Sequence, residues 1–106
     1  MKVYISGMIT SLRHDQYRKK FKEAAKFLKS EGYDTVDPSD LGKPEHHAWT
    51  YYMRKAIPQL CDCDTIYMLD GWTNSKGASL EHLIASSLDF DIMYEGEKHG
   101  MENQSS

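Results

Sequence analysis

The chain has 106 residues, of which 40% are hydrophobic and 27% are charged. This length supports a single hydrophobic core, and the composition is that of a folded globular protein rather than a disordered chain. The formal net charge of −3 argues against sequence-independent binding to nucleic acid, which depends on clustered cations. Because the sequence shows neither a secretory leader nor an apolar run of about 18 residues, we expect a cytoplasmic protein that does not span a membrane.

The two cysteines do not form a recognisable metal or redox motif. Cys61 and Cys63 are separated by one residue, which matches neither a C-x-x-C motif nor a standard zinc pattern. Adding His46 and His47 does not complete a zinc pattern either. We therefore expect no metal, no cofactor and a reducing environment.

The first part of the chain predicts a strand, a helix and a second strand. Residues 2–6, KVYIS, form a β-rich run that ends at Gly7. Residues 15–33 place apolar side chains on one helical face, and Gly32 supplies the stop. Residues 33–40, YDTVDPSD, predict a strand that Pro38 closes, followed by a polar loop. The apolar helical face consists of Tyr17, Phe21, Ala24, Ala25 and Leu28.

The second part predicts a helix, a strand, a further helix and a last strand. The first of these helices runs from about residue 48 to 60, and Pro58 is expected to kink or restart it. The strand covers residues 64–70, a loop covers 71–77, the next helix covers 78–88 and the last strand covers 90–95. The remaining polar residues, 96–106, predict a mobile tail, so we expect the domain to comprise residues 1–95.

Strands that alternate with helices predict an α/β fold. We expect a small doubly wound, flavodoxin-like or Rossmann-like parallel sheet of four to five strands with flanking helices. Such sheets bind ligands beyond the carboxyl ends of the strands, where the strand order reverses. The loops that follow Ser6, Val36 and Leu69 are therefore the candidate ligand-binding loops.

Three segments converge on this edge of the predicted sheet. They are residues 4–7, residues 70–72 and residues 75–81. The glycine-containing loop before the helix, together with the Ser75 hydroxyl, suits an anion such as phosphate. The chain contains neither a G-x-G-x-x-G nor a Walker motif, so a standard dinucleotide or P-loop site is not expected.

The same segments carry a family resemblance. The motifs MKVYISGMIT, CDCDTIYMLDGW and NSKGASLE, with the order of elements over residues 1–95, resemble the nucleoside 2-deoxyribosyltransferase-like superfamily. The resemblance is closest to small phage and bacterial members of unknown function, which are similar to nucleoside-monophosphate N-glycosidases. It implies a small-molecule nucleotide as partner and a homo-oligomeric assembly.

The resemblance also implies roles for individual residues. Glu81 matches the glutamate that attacks the anomeric carbon and forms a glycosyl–enzyme intermediate, and Tyr4 matches the tyrosine that orients it. Ser75, Ser6 and Gly7 match positions that contact a 5′-phosphate. The predicted substrate-binding set is completed by Asp70, Trp72 and Gly77.

Simpler alternatives exist for these residues. A glutamate near a helix start is commonly a surface residue that the helix dipole stabilises, as Glu81 would then be. Tyr4 would be an ordinary strand tyrosine, and Trp72 would pack over the sheet edge instead of stacking on a base.

One family position departs from the pattern. Where the family usually has an aspartate that positions the sugar or protonates the leaving base, this chain has Ala56. Asp70 or Lys55 would have to substitute for it. The resemblance nevertheless predicts hydrolysis of the N-glycosidic bond of a nucleoside 5′-monophosphate or related nucleotide. The alternatives are a protein that binds the nucleotide without cleaving it and an assembly protein that has lost its ligand.

Overall fold

The computed structural model describes residues 1–9, 14–40 and 49–96. Within these ranges the helices and strands alternate as the sequence predicts, and two short 3₁₀ turns, Pro38–Asp40 and Trp72–Asn74, are added. No helix in the described ranges is both long and apolar enough to cross a bilayer. Residues 97–106 of the predicted tail lie outside the described residues. The elements are β1 (Lys2–Ser6), α1 (His14–Ser30), β2 (Asp34–Val36), α2 (Trp49–Cys61), β3 (Thr65–Met68), α3 (Lys76–Ser87) and β4 (Asp91–Tyr94).

The four described strands form one parallel sheet in the order β2-β1-β3-β4. Tyr4 of β1 is paired with Val36 of β2 on one side and with Ile66 of β3 on the other. The chain therefore moves outward from β1 to β2 and then crosses back to β3. The prediction of a doubly wound α/β sheet is confirmed, and the strand order reverses between β1 and β3.

One face of the sheet packs against α1. Because successive strand residues point to opposite faces, Val3 and Ile5 share this face with Tyr67 and Leu69. They meet the apolar stripe that the helical periodicity predicts, and burial of this stripe holds α1 on the sheet. The helical side of the cluster consists of Tyr17, Phe21, Ala24, Ala25 and Leu28.

The opposite face packs against α2 and α3. Tyr4, Ile66 and Met68 point this way and form a second buried cluster with side chains of the two helices. Ser6 follows the same alternation as Tyr4, so both side chains are directed toward α3. The helical side of this cluster consists of Ala56, Leu60, Ala78 and Ala85.

Two helices differ in detail from the prediction. The α3 helix begins at Lys76 instead of residue 78, because the Ser75 side chain caps it by accepting a hydrogen bond from the Ala78 N–H at 3.2 Å. The α2 helix continues through Pro58 without restarting. Pro58 is exposed and lies in the last turn, where a proline removes only one hydrogen bond near the end of the helix.

Candidate active site

Glu81 is a buried carboxylic acid with two hydroxyl donors. It lies in the second turn of α3 and is only 4% exposed. Its Oε2 accepts a hydrogen bond from the Tyr4 hydroxyl at 2.6 Å, and its Oε1 accepts one from Ser6 Oγ at 2.6 Å. The alternative of a surface glutamate stabilised by the helix dipole is therefore wrong. Both donors come from β1, at the point where the strand order reverses.

Burial dominates the electrostatics of this group. Desolvation raises the pKa of Glu81 from its ordinary value of 4.5 to about 7, although the hydrogen bonds from Ser6 and Tyr4 act in the opposite direction. Burial and the neighbouring Glu81 carboxylate raise the pKa of Tyr4 well above its usual range. Tyr4 therefore keeps its proton and remains a donor, while Glu81 changes its charge near neutral pH.

Glu81 lines a cleft between α2, α3 and the loops that follow β1 and β2. Most of the described wall is apolar, and Trp49, Tyr52, Ser75 and Lys76 supply its other polar groups. An apolar wall strengthens any electrostatic interaction inside the cleft because it lowers the local dielectric constant. The described lining consists of Gly7, Ile9, Phe21, Pro38, Trp49, Tyr52, Met53, Ser75, Lys76, Gly77, Ala78 and Glu81.

Two of the predicted glycines allow close approaches at this cleft. A β-carbon on Gly7 would lie 2.7 Å from Leu69 Cδ1 and 2.9 Å from Leu69 Cβ. A β-carbon on Gly77 would lie 3.1 Å from Met53 Sδ and 3.3 Å from Trp49 Nε1. Gly7 thus lets the loop after β1 pass over the end of β3, and Gly77 lets α2 approach the start of α3.

The loop after β2 is fixed from two directions. Asp37 Oδ1 accepts hydrogen bonds from the Ser39 backbone N–H and the Ser39 hydroxyl, and Asp37 Oδ2 forms an ion pair with Lys22 Nζ at 2.7 Å. These contacts tie the loop to α1 and hold Pro38 in the wall of the cleft. All three loops selected from the sequence lie at this edge and contribute to the described lining, the third of them through Ser75.

The residues predicted to contact a phosphate do not all lie at the cleft. Ser75 and Gly7 line the cleft, whereas Ser6 is fully buried and its hydroxyl donates to Glu81. Ser6 is thus placed to orient the carboxylate alongside Tyr4. The Ser75 oxygen caps α3, and its O–H group can still donate to a ligand.

Asp70 and Trp72 lie outside the described lining of this cleft. Asp70 is exposed, and its backbone N–H donates to Glu95 Oε1 at 2.7 Å. The Trp72 ring stacks on the His82 ring with centroids 4.2 Å apart, and His82 Nε2 lies 2.9 Å from the Tyr94 hydroxyl. His82 directly follows Glu81, so its side chain points about 100° further around the helix, away from the cleft. The structure thus favours the packing interpretation of Trp72 over base stacking.

The position of the missing family aspartate is part of the core. Ala56 is fully buried and packs in the cluster that contains Tyr4 and Ile66. Neither Asp70 nor Lys55 belongs to the described lining of the cleft, and both are exposed. Among the described residues of the lining, Glu81 is the only carboxylic acid.

Eight residues of the described lining were not predicted as site residues, namely Ile9, Phe21, Pro38, Trp49, Tyr52, Met53, Lys76 and Ala78. Trp49, Tyr52 and Met53 come from the first turn and a half of α2, and Lys76 is the first residue of α3. The helical spacing of Trp49, Met53 and Ala56 is a signal for one inward face of α2. The sequence does not reveal that the N-terminal part of this face, with Trp49 and Met53, lines a cleft, while Ala56 packs against the sheet.

Of the residues considered for a zinc site, only the two cysteines lie in the described part of the chain. His46 and His47 lie outside the described residues. Cys63 is buried, and its thiol contacts the Gln59 carbonyl oxygen at 3.4 Å, whereas Cys61 is exposed. Burial raises the pKa of Cys63 to about 11, so its thiol stays protonated.

Comparisons with known proteins agree with this architecture. The structure is similar to that of Clostridium botulinum CMP N-glycosidase, BcmB, with a TM-score of 0.55 and 19% sequence identity over 95% of this chain and 75% of that chain. At this identity the similarity shows a shared fold. No curated protein matches the sequence. A family model described as a domain of unknown function, DUF4406, matches residues 1–94, so the chain belongs to the DUF4406 family.

Proposed function

We propose that this protein hydrolyses the N-glycosidic bond of a nucleoside 5′-monophosphate or a related nucleotide, with Glu81 as the nucleophile. The observation that carries the proposal is the buried Glu81 carboxyl group, which two hydroxyl donors from β1 hold at the wall of a cleft. The structural similarity to a CMP N-glycosidase supports the same class of substrate. The partner is thus a small-molecule nucleotide.

The reaction begins with attack on the sugar. A Glu81 oxygen forms a bond to C1′ as the bond from C1′ to the base nitrogen breaks, and the base leaves with the electron pair of that bond. Positive charge develops on the sugar in the transition state, and an adjacent carboxylate in an apolar cleft stabilises it. Water then attacks C1′ as the bond between C1′ and Glu81 breaks, which releases the sugar phosphate and the carboxylate, and the departed base takes up the proton that the water loses.

Tyr4 and Ser6 orient the nucleophile. Each donates to a different oxygen of Glu81, so the carboxylate plane is fixed by two contacts of 2.6 Å. Fixing this plane reduces the entropy that must be lost when the oxygen reaches C1′. The two donors also favour the ionised form, which is the form that attacks.

Binding without cleavage is the second candidate function. Ala56 favours it, because the described cleft lining contains no second carboxyl group that could protonate the leaving base. Loss of a general acid typically costs a factor of about 10² to 10⁴ in rate. The same cleft would then hold a nucleotide and release it unchanged.

Base release distinguishes the two candidates. The purified protein is incubated with ribo- and deoxyribonucleoside monophosphates, and free base is followed by chromatography. The proposal expects base release by the wild-type protein, loss of release in Glu81→Gln, and normal release in Glu23→Gln, a matched change at an exposed position of α1. Saturable nucleotide binding without base release would favour the second candidate.

A further inference from the structure

Lys76 is the cationic residue of the described cleft lining. It is the first residue of α3, its side chain is exposed, and it follows Ser75, which also lines the cleft. Its Nζ lies 4.1 Å from the centroid of the Trp49 ring. A cation above an aromatic face at this distance is attracted by the ring quadrupole. The Trp49 ring therefore holds the ammonium group of Lys76 at the start of α3.

Trp49 has a second unusual feature. Its Nε1 atom is buried, and it has no hydrogen-bond partner within residues 1–9, 14–40 and 49–96. This nitrogen lies against Gly77, since a β-carbon there would be 3.3 Å away. Buried donors in native proteins are nearly always paired, so this N–H calls for a partner such as a water or a ligand group. Trp49, Ser75 and Lys76 thus concentrate donors at one end of the cleft.

A carboxylic acid, Glu81, lies further along α3. Lys76 precedes Glu81 by five residues, which corresponds to about 7.5 Å along the helix axis and about 140° around it, and both residues line the cleft. This length is close to the span of a sugar 5-phosphate from C1′ to its phosphate oxygens. A ligand with C1′ at Glu81 would therefore place its phosphate within reach of the long Lys76 side chain.

We propose that Lys76, held by the ring of Trp49, recognises the 5′-phosphate of the ligand and makes the site selective for nucleotides over nucleosides. This inference rests on the proposed function, because it takes Glu81 as the position of C1′. Trp49 acts as a positioning residue for the ammonium group. An acidic ligand group fits this end of the cleft better than a neutral base does, because the polar groups there are donors and one of them is charged.

The test uses sugar phosphates, which contain no base to be cleaved. Calorimetric titration compares ribose 5-phosphate and 2-deoxyribose 5-phosphate with the unphosphorylated sugars. Lys76→Gln is expected to weaken binding of the sugar phosphate about tenfold and to reduce its dependence on salt. The matched control is Lys55→Gln, because Lys55 also lies over an aromatic ring, Tyr51, at 5.0 Å, but outside the described cleft lining.

A second pair of variants tests the positioning role of Trp49. Trp49→Phe keeps an aromatic face for the ammonium group, whereas Trp49→Leu removes it. The inference expects Trp49→Leu to weaken binding of the sugar phosphate and to flatten its salt dependence more than Trp49→Phe does. Circular dichroism verifies that both variants are folded. Equal salt dependence in these two folded variants would overturn the positioning role.

The outcomes separate this inference from the proposed function. Unchanged binding in Lys76→Gln, equal losses in both lysine variants, or no binding of either sugar phosphate by the wild-type protein would each overturn it. If the wild-type protein releases base and Lys76→Gln binds the sugar phosphate as tightly as wild type, the proposed function is supported and this inference is wrong. Lysine-dependent binding without any base release supports this inference and contradicts the proposed hydrolysis.

Discussion

At the scale of single residues, the central feature is a carboxylic acid that changes its charge near neutral pH. Sequence motifs selected Glu81 and Tyr4 as a pair, and the structure joins them by a hydrogen bond across 77 positions of the chain. The hydroxyl of Ser6 was assigned to the phosphate because the family resemblance matches this position to one that contacts a 5′-phosphate. Only strand alternation together with the position of α3 reveals that it reaches Glu81 instead.

Removing one donor should shift the pH dependence of base release. Because the proposed mechanism needs an ionised Glu81, whose pKa is about 7, we expect the rate to rise with pH and to level off above neutrality. Tyr4→Phe removes a hydrogen bond that favours the charged form, so the inflection should move upward by about 1 to 2 pH units. Rate measurements between pH 5 and pH 9 test this, and an unchanged or lowered inflection would contradict it.

The buried carboxyl group should also reduce stability at high pH. A shift of the Glu81 pKa from 4.5 to about 7 means that the folded state binds more protons than the unfolded state between these values. Stability should therefore fall as pH rises through this window, by about 3 kcal/mol once pH exceeds the folded pKa.

Glu81→Gln measures this effect directly. Because glutamine does not ionise, the variant should be more stable than wild type at pH 8, by up to about 3 kcal/mol, and similar to it at pH 4. Urea unfolding at both pH values gives the two free energies. The matched change Glu23→Gln, on the exposed side of α1, should have little effect at either pH. A Glu81→Gln variant that is less stable than wild type at pH 8 would contradict the raised pKa of Glu81.

At the scale of elements, the cleft depends on how closely α2, α3 and the loop after β1 approach one another. Element types were predictable because each has a strong local signal, such as the apolar stripe of α1. The continuity of α2 through Pro58 was not predicted, because the expectation that proline interrupts a helix was preferred, although the predicted bounds of 48 to 60 already placed Pro58 in the last turn. Nor did the sequence reveal which end of α2 would face the cleft.

The two close-approach glycines should respond differently to substitution. In Gly7→Ala the new methyl group would meet Leu69 Cβ at 2.9 Å, next to the backbone, so the loop or β3 must move. We expect a loss of about 1 to 3 kcal/mol. In Gly77→Ala the nearest atom is the flexible Met53 Sδ at 3.1 Å, and alanine suits a helix better than glycine. Urea unfolding should therefore rank Gly7→Ala as the less stable variant, and the reverse order would contradict the packing argument.

At the scale of the whole molecule, the topology gathers residues that are far apart in sequence at one edge of the sheet. Alternation of strands and helices was sufficient to predict the fold class and the edge. The packing of the Trp72 ring could not be predicted in this way, because it depends on the 3₁₀ turn that directs the ring onto His82. Trp49 was likewise missed, since its contact with Gly77 exists only after α2 and α3 pack together.

The expected homo-oligomer is a prediction at this scale. A chain of 12.2 kDa buries proportionately little of its surface, and two leucines in and directly after α3, Leu83 and Leu88, are 60% and 56% exposed. Association would remove such apolar surface from water. Light scattering at micromolar concentration should give a mass of at least twice that of one chain. A monomeric mass would show that the expectation is wrong.

The most direct test of the whole account is base release from nucleoside monophosphates, compared between the wild-type protein and Glu81→Gln. If Glu81 is the nucleophile, the wild-type protein releases free base and the variant, although folded and at least as stable at pH 8, releases none above background. Equal release by both proteins, or none by the wild-type protein from any ribo- or deoxyribonucleoside monophosphate, would contradict the assignment of Glu81 as the nucleophile of a nucleotide N-glycosidase.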